Sequence, residues 1–393
     1  MNQFEHIQNM SKHDLGQYFT TNQQLQEKVN AFILNDPSEI LEPSIGQGDL
    51  VLCIQKKLPN VIVNMYEIDK SIILLENIAR ESVIYGDFMT QHIEKSYKSI
   101  VGNPPYVKTK QGNLYIDFTE KCYHLLEENG ELIFIVPSDF FKLTSASKLL
   151  NEMMIHGTFT HVYHPHKENL FANASIDVIV YRYCKNKNLE KKTHYNDKIL
   201  YAVNHNGLIT FSETLLENET LFKDYFDVYV GIVNGKEEVY KHKSIGNIEV
   251  LNGKSKKEKY IYINEFPCNN EDINHHLLQH KSDLLSRKIK KFNENNWFEW
   301  GAPRNIGVME KNVGEDCIYV SNLTRNKEVA FVDKVQYFGG SLIMLKPKKK
   351  CNLYNIVNYL NSDKFKENFM FSNRFKIGHR QICHSVLPNN FIK

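Results

Sequence analysis

The stretch "YKSIVGNPPYVKTK" (residues 97–110) sets two prolines behind an asparagine, directly after the apolar run Ser99-Ile100-Val101. Proline has no N–H for a sheet ladder and pushes the residue before it out of helical geometry. The run therefore reads as a strand that stops at Asn103-Pro104-Pro105-Tyr106. The stiff turn that follows presents an amide and a phenol. Upstream, "SEILEP", "VIVNMYEID" and "SVIYGDF" read as further strands. Downstream, "GELIFIVPSDF", "THVYHPH" and "ASIDVIVYRY" do the same, the last two close enough for an antiparallel edge pair. Most are separated by helix-like segments. "TTNQQLQEKVNAFIL" carries Leu25, Val29, Phe32 and Ile33 on one helical face, with Thr21 as the expected cap and Gln24 three residues on. "GDLVLCIQKKLPN" reads as a helix closed by Pro59. This alternation predicts an α/β fold with a doubly wound, mostly parallel sheet and its sites at the strands' carboxyl ends.

The chain of 393 residues has 48 Lys and Arg against 46 Asp and Glu, a net charge of only +2. Total charge therefore announces no nucleic-acid partner. Seven scattered cysteines without a CxxC pair suit reduced thiols and suggest neither a disulfide frame nor a zinc site. No metal site is expected. The first residues lack a signal-peptide core, and no apolar run nears the ~18–20 residues that span a bilayer. A cytoplasmic protein without membrane contact is expected, bacterial or virus-encoded within a host cell.

Three strand ends carry groups suited to a nucleoside. "LEPSIGQGDL" puts Gly46 and Gly48 in the turn after the first strand, where a ligand can approach the backbone, although the third glycine of a dinucleotide fingerprint is missing. Glu42 there would repel a pyrophosphate but suits an ammonium or hydroxyls. Glu67, closing the second strand, can accept from both ribose hydroxyls. Asp87 in "GDF" can accept from an adenine amine with Phe88 flanking the base; helix capping is the alternative for such residues.

With "NPPY" after the fourth strand and "EPSIGQG" after the first, residues 12–183 resemble the gamma class of S-adenosylmethionine-dependent DNA adenine-N6 methyltransferases of type II restriction–modification systems. The resemblance implies a Rossmann-like catalytic domain over 1–195 and a C-terminal mixed α+β target-recognition domain over 196–393. It implies S-adenosylmethionine as cofactor, held by Thr20 and Thr21 of "LGQYFTT", by Glu42, Ser44, Gly46 and Gly48, by Glu67 and Ile68, by Asp87 and Phe88, and by Asn103. The family often has proline where Thr21 stands. Asn103, Pro104, Pro105 and Tyr106 would form the catalytic turn. Tyr106 and Phe171, the latter in "NLFANASIDVIVYRY", would stack on a flipped adenine. Double-stranded DNA, a separate restriction endonuclease and a monomeric state are the implied context. The same turn also serves glutamine and RNA-base amino-methyltransferases, and a non-catalytic DNA-specificity module could keep the fold. A thiolate for cytosine-C5 chemistry is not evident, since "FPC" (266–268) lies far downstream of the cofactor loops.

Beyond "YCKNKNLEKKTHYNDK" the texture turns polar and basic, and the domain junction is placed there. Lysine clusters such as "KSKKEK", "SRKIKK" and "KPKKK" suit phosphates. "NNWFEWGAPRN", "SNLTRNKE" and "SNRFKIGHRQ" offer Arg304, Arg325, Arg374 and Arg380 as candidates for base edges.

Overall fold

The computed structural model describes residues 18–108, 112–171, 174–215 and 220–389. The chain divides into two compact units: residues 1–217 with 371–373, and residues 218–370 with 374–393.

The first unit is built on a ten-stranded sheet. Its elements run α1 (Gln23–Phe32), β1 (Glu39–Glu42), α2 (Asp49–Lys57), β2 (Ile62–Glu67), β3 (Val83–Tyr85), β4 (Tyr97–Gly102), α3 (Leu114–His124), β5 (Leu126–Pro137), α4 (Ser147–His156), β6 (Thr158–Tyr163), β7 (Val178–Cys184), β8 (Lys192–Tyr195), β9 (Lys198–His205) and β10 (Leu208–Ser212). The strand order is β10-β9-β8-β6-β7-β5-β4-β1-β2-β3. Strands β1 to β5 pair in parallel, and β7 runs antiparallel between β5 and β6. The expected α/β sheet is thus present; β6 and β7 pair antiparallel as expected, but inside the sheet rather than at its edge, because β8 continues the sheet beyond β6. Because the strands are covered on both faces, they read as apolar runs: Leu132 to Val136 and Val178 to Val180 are essentially inaccessible to solvent.

Helix α1 forms where its apolar face requires, with Leu25, Val29 and Phe32 buried. Its cap is Asn22 rather than Thr21. The Asn22 side chain accepts from the Leu25 amide at 3.2 Å, and Thr21 stays on the surface. Either residue type can cap; the extended backbone of Asn22 (φ −72°, ψ 115°) decides it. Helix α2 stops at Leu58, ahead of Pro59. The polar segment 192–212 does not open a new domain. Its strands β8–β10 extend the first unit's sheet, β8 pairing in parallel with β6. Compactness therefore divides the chain at Glu217, about twenty residues beyond the change in texture.

The end of the sheet opposite the NPPY turn is closed by one carboxylate. Glu131 on β5 is fully buried. It accepts from Arg182 Nε on β7 (2.7 Å), from Ser99 Oγ on β4 (2.8 Å), and from the Leu34 and Asn35 amides after α1 (3.1 and 3.2 Å).

The second unit contains an antiparallel sheet in which 226–230, 342–347, 316–321 and 330–334 lie in that order. A hairpin pairs 248–253 with 256–260. Its core gathers Tyr240, Trp297, Trp300, Phe338 and Met344, with Leu277 from the helix Glu271–Gln279. This is a mixed α+β unit. Among the described residues no helix is long and apolar enough to cross a membrane.

Removing one partner from a buried charge pair leaves the other uncompensated, at a cost of ~3–5 kcal/mol. We expect Glu131→Ala to lower unfolding free energy by about that amount in urea melts, and Glu131→Gln, which keeps an acceptor for the amides, by less. Equal, sub-1 kcal/mol effects would show that the clamp is dispensable.

Candidate active site

The parallel strands β1, β2, β3 and β4 end on the same edge, so their terminal residues converge. After β1 the chain turns through Gly46 (φ 59°) and Gly48 (φ 99°) into α2. A Cβ on Gly48 would lie 2.8 Å from Ile78, and its left-handed backbone disfavours other residues. The Gly46 amide donates to Glu67 Oε2 (2.9 Å), and the Asp69 amide donates to Glu67 Oε1 (2.9 Å). The Ser44 amide donates to Glu42 Oε1 (3.0 Å). Both carboxylates are therefore buried beneath the loop, 1% exposed at Glu42 and 5% at Glu67. Burial raises the Glu67 carboxyl pKa, only partly opposed by its backbone bonds. Burial also pushes Glu42 up to about 8, with the nearby Glu67 charge adding to the rise. Ile68 is half-buried beside them.

At β3 the sequence expectations separate. Asp87 is half-buried and its Oδ1 accepts from the Met89 amide (2.9 Å), a capping bond. The Phe88 ring turns inward, 2% exposed, and packs 5.3 Å from both Tyr66 and Phe118. Its ring is a core element and offers no open face. Thr20 is buried and joins the site; Thr21 does not.

The NPPY turn leaves β4 against this loop. Ser44 Oγ donates to the Asn103 carbonyl (3.3 Å). Asn103 Nδ2 donates to the Tyr18 carbonyl (2.7 Å) and to Thr20 Oγ1 (3.0 Å). The Tyr18 carbonyl can only accept, so it fixes which end of the amide is nitrogen and leaves Oδ1 facing the other way. There it accepts from the Tyr106 hydroxyl at 2.6 Å, which also lies 3.1 Å from the Ile135 carbonyl on β5. Pro104 is buried and Pro105 half-buried. Burial raises the Tyr106 phenol well above its ordinary range, so it is a neutral donor.

Phe171 lies in the β6–β7 connection and is 4% exposed. Its ring centroid is 6.3 Å from that of Tyr106, with the planes at 77°. Behind it, Asp177 joins the connection to its base: Oδ1 meets His164 Nε2 (2.9 Å), and Oδ2 accepts from Ser138 Oγ (2.8 Å) and the Ser372 amide (2.8 Å). Tyr18 escaped the sequence reading although its carbonyl orients Asn103. The signal available was its place two residues before Thr20, within the same motif.

In the second unit Arg304 and Arg325 are exposed. Arg374 and Arg380 are half-buried, and the buried Nε of Arg374 has no hydrogen-bond partner among the described residues. The hairpin turn at 254–257 presents exposed Lys254, Lys256 and Lys257. Among the described residues no group of three or more His, Cys, Asp and Glu side chains is arranged to hold a metal ion.

A loop–helix turn with buried acids, an asparagine turn at the fourth strand and this strand order define a methyltransferase-type α/β fold. Residues 8–171 match the sequence model of the Eco57I restriction-modification methylase family. The chain is 30% identical over 201 residues to the type II methyltransferase M.HincII of Haemophilus influenzae, covering 46% of this chain and 39% of that protein. The type II methyltransferase M.HindII of the same species matches at 30% over 201 residues, 46% of this chain and 38% of that one. The chain thus spans about two-fifths of the length of these curated relatives. Among solved structures, the type IIL restriction-modification enzyme MmeI in complex with DNA superposes with a TM-score of 0.60 at 8% identity, over 95% of this chain and 64% of that one. At that identity the likeness is one of fold.

The Glu42 shift has a definite sign. Its folded pKa lies above the ordinary carboxyl value of 4.5, so the folded state holds the extra proton, and the associated stability is lost as pH rises toward about 8. Glu42→Gln keeps an acceptor for Ser44 and cannot ionise. Its melting temperature relative to wild type should be higher at pH 9 than at pH 6. An offset independent of pH would show that Glu42 titrates normally.

Proposed function

We propose that this protein transfers a methyl group from S-adenosylmethionine to the exocyclic N6 amine of an adenine flipped out of double-stranded DNA, at a short recognition sequence. The orientation of the Asn103 amide carries this reading. An aromatic amine is a poor nucleophile because its lone pair is delocalised into the ring. Asn103 Oδ1, turned away from Tyr18 and Thr20 by the bonds that Nδ2 makes to them, and the Pro104 carbonyl are two acceptors for its hydrogens. Held rigidly by the prolines, they favour a pyramidal nitrogen and stabilise the positive charge that develops on it. The proton leaves to water afterwards.

The loop fits the cofactor. Gly46 and Gly48 hold the backbone open for close approach, and Glu42 and Glu67 are acids suited to the ammonium and ribose hydroxyls. S-adenosylmethionine when bound supplies an electrophilic methyl on a sulfonium, so no metal or enzyme base is called for. Thr20, Ser44, Ile68 and Asp87 border the same edge. Adenine is preferred over cytosine as target because Asn stands at 103, where cytosine-amino methylating relatives commonly have serine.

We assign the second unit to target recognition, with Arg304, Arg325, Arg374 and Arg380 as base-reading candidates and the 254–257 lysines on phosphate. MmeI, similar in fold over both units, was solved with DNA. Protection from a separate restriction endonuclease is the corresponding role, and the relatives' type II description supports it. The RNA alternative has one observation behind it: 36% identity over 103 residues to ribosomal RNA small subunit methyltransferase A of Mycoplasma mobile, a quarter of this chain. It does not account for the second unit.

Expressing the chain in a methylation-free cell and sequencing the DNA for modified bases tests the whole reading. N6-methyladenine at one short motif is expected; exclusively 4-methylcytosine would overturn the choice of base. At the residue level, Asn103→Ala should lower the single-turnover rate by at least ~10²-fold, the scale of losing one transition-state acceptor, and leave cofactor affinity nearly intact. Glu67→Ala should weaken cofactor binding, measured calorimetrically. Equal loss of affinity in both variants would refute the division of roles.

A further inference from the structure

Three rings crowd the mouth of the Asn103 turn. Tyr18 lies 5.4 Å from Tyr106 with 28° between planes, an offset stack, and 5.8 Å from Phe171 at 48°. Tyr106 and Phe171 are themselves 6.3 Å apart and nearly perpendicular. A planar base between two rings needs near-parallel walls roughly 7–8 Å apart, twice the carbon–carbon contact distance. Tyr106 and Phe171 do not stand as such walls in this arrangement, and the face of Tyr106 that Tyr18 stacks on is closed to a base while the ring lies there. Among the described residues the remaining ring neighbour of Tyr106, Tyr115, meets it edge-on at 5.9 Å and 81°, so Tyr18 is the ring stacked on it there.

The polar half of the site is satisfied from within in the same way. The Tyr106 hydroxyl has one proton and two acceptors in reach, Asn103 Oδ1 at 2.6 Å and the Ile135 carbonyl at 3.1 Å. In the first position it sits where a target amine would donate. In the second it leaves that direction of Oδ1 clear without losing a hydrogen bond. Tyr18 has a corresponding freedom. Its carbonyl is bonded to Asn103 Nδ2 through the backbone, so its ring can rotate about the side-chain bonds while the amide stays oriented.

We propose that Tyr18 and the Tyr106 hydroxyl are internal stand-ins for the target base, the ring taking its stacking place and the hydroxyl its amine's place on Asn103, and that an extrahelical base must displace both. This rests on the reading of Asn103 as the transfer site. It divides the roles: the Tyr18 ring sets a threshold that any stacking base must pass, and the Tyr106 hydroxyl sets the amine requirement, since a base without an exocyclic amine can push the ring aside but cannot replace the bond to Oδ1. Stacking against a base is worth ~1–3 kcal/mol, so removing a competing ring shifts occupancy by about five- to a hundredfold.

The test uses the full chain and a duplex carrying its methylated motif, with adenine, 2-aminopurine or an abasic residue at the target. Tyr18→Ala is expected to raise affinity for the adenine duplex relative to the abasic duplex by about five- to a hundredfold and to brighten bound 2-aminopurine further. Tyr18→Leu, which keeps bulk without a stacking face, should move the same way; Tyr18→Phe should match wild type. Single-turnover rates at saturating DNA should change less than the half-saturating concentration. If Tyr18→Ala and Tyr18→Leu instead lose preference for the adenine duplex, Tyr18 is a wall for the base and the proposal is wrong. An unchanged ratio in both is equally fatal. If wild type neither brightens 2-aminopurine nor methylates any duplex, the transfer reading itself fails, and this proposal falls with it.

Discussion

The Glu131 carboxylate is the constraint on which the first unit's geometry rests. It is fully buried, and its bonds come from Arg182 on β7, Ser99 on β4 and two amides after α1. A charge so placed is tolerated only when its lone pairs are met, and here four donors meet them. The consequence is register. Strand β7 must run antiparallel beside β5 with Arg182 opposite Ile133, next to Glu131. That fixes the opposite end of the same strands: Ile135 and Pro137 reach the edge where Tyr106 hydrogen-bonds, and β7 starts from the connection that carries Phe171.

At that edge the polar groups are arranged by the chain itself. Glu67 holds the Gly46 loop and the turn after β2; Glu42 holds Ser44; Ser44 in turn holds the Asn103 carbonyl. An amide embedded in such a sequence of bonds has little freedom to rotate, and fixed positioning of an acceptor is what the transfer proposed above would require. Burial beneath the loop accounts for the rise at Glu42, the neighbouring Glu67 charge adds to it, and two acids so placed make a cationic ligand electrostatically welcome there.

How much was legible in the sequence follows from the range of each signal. The strands around the NPPY turn were readable because buried parallel strands are apolar runs punctuated by glycine and proline, a local property. Asn103, Glu42 and Glu67 were readable as strand-end residues for the same reason. Side-chain direction was not. Phe88 looked like a wall for a base and proves to be a core ring, because the turn after β3 points it toward Tyr66 and Phe118. Thr20 and Thr21 are equivalent on paper, and the extended backbone before α1 buries one and exposes its neighbour. The segment 192–212 is polar because β8–β10 form the sheet's margin, where alternation is weak, so its membership in the first unit left no compositional mark.

The discontinuity of the first unit has a further consequence for how this chain could be divided or exchanged in evolution and in the laboratory. Cutting at the compositional break near residue 195 would strip β9 and β10 away and leave β8, the strand beside β6, with a newly unpaired backbone edge, a template for adhesion between molecules. Cutting after Glu217 would spare the sheet but still remove residues 371–373, and with them the Ser372 amide from Asp177. The first unit is therefore completed by three residues that are synthesised after most of the second. Swapping the second unit between relatives succeeds on these terms only if the replacement returns an equivalent short segment to Asp177.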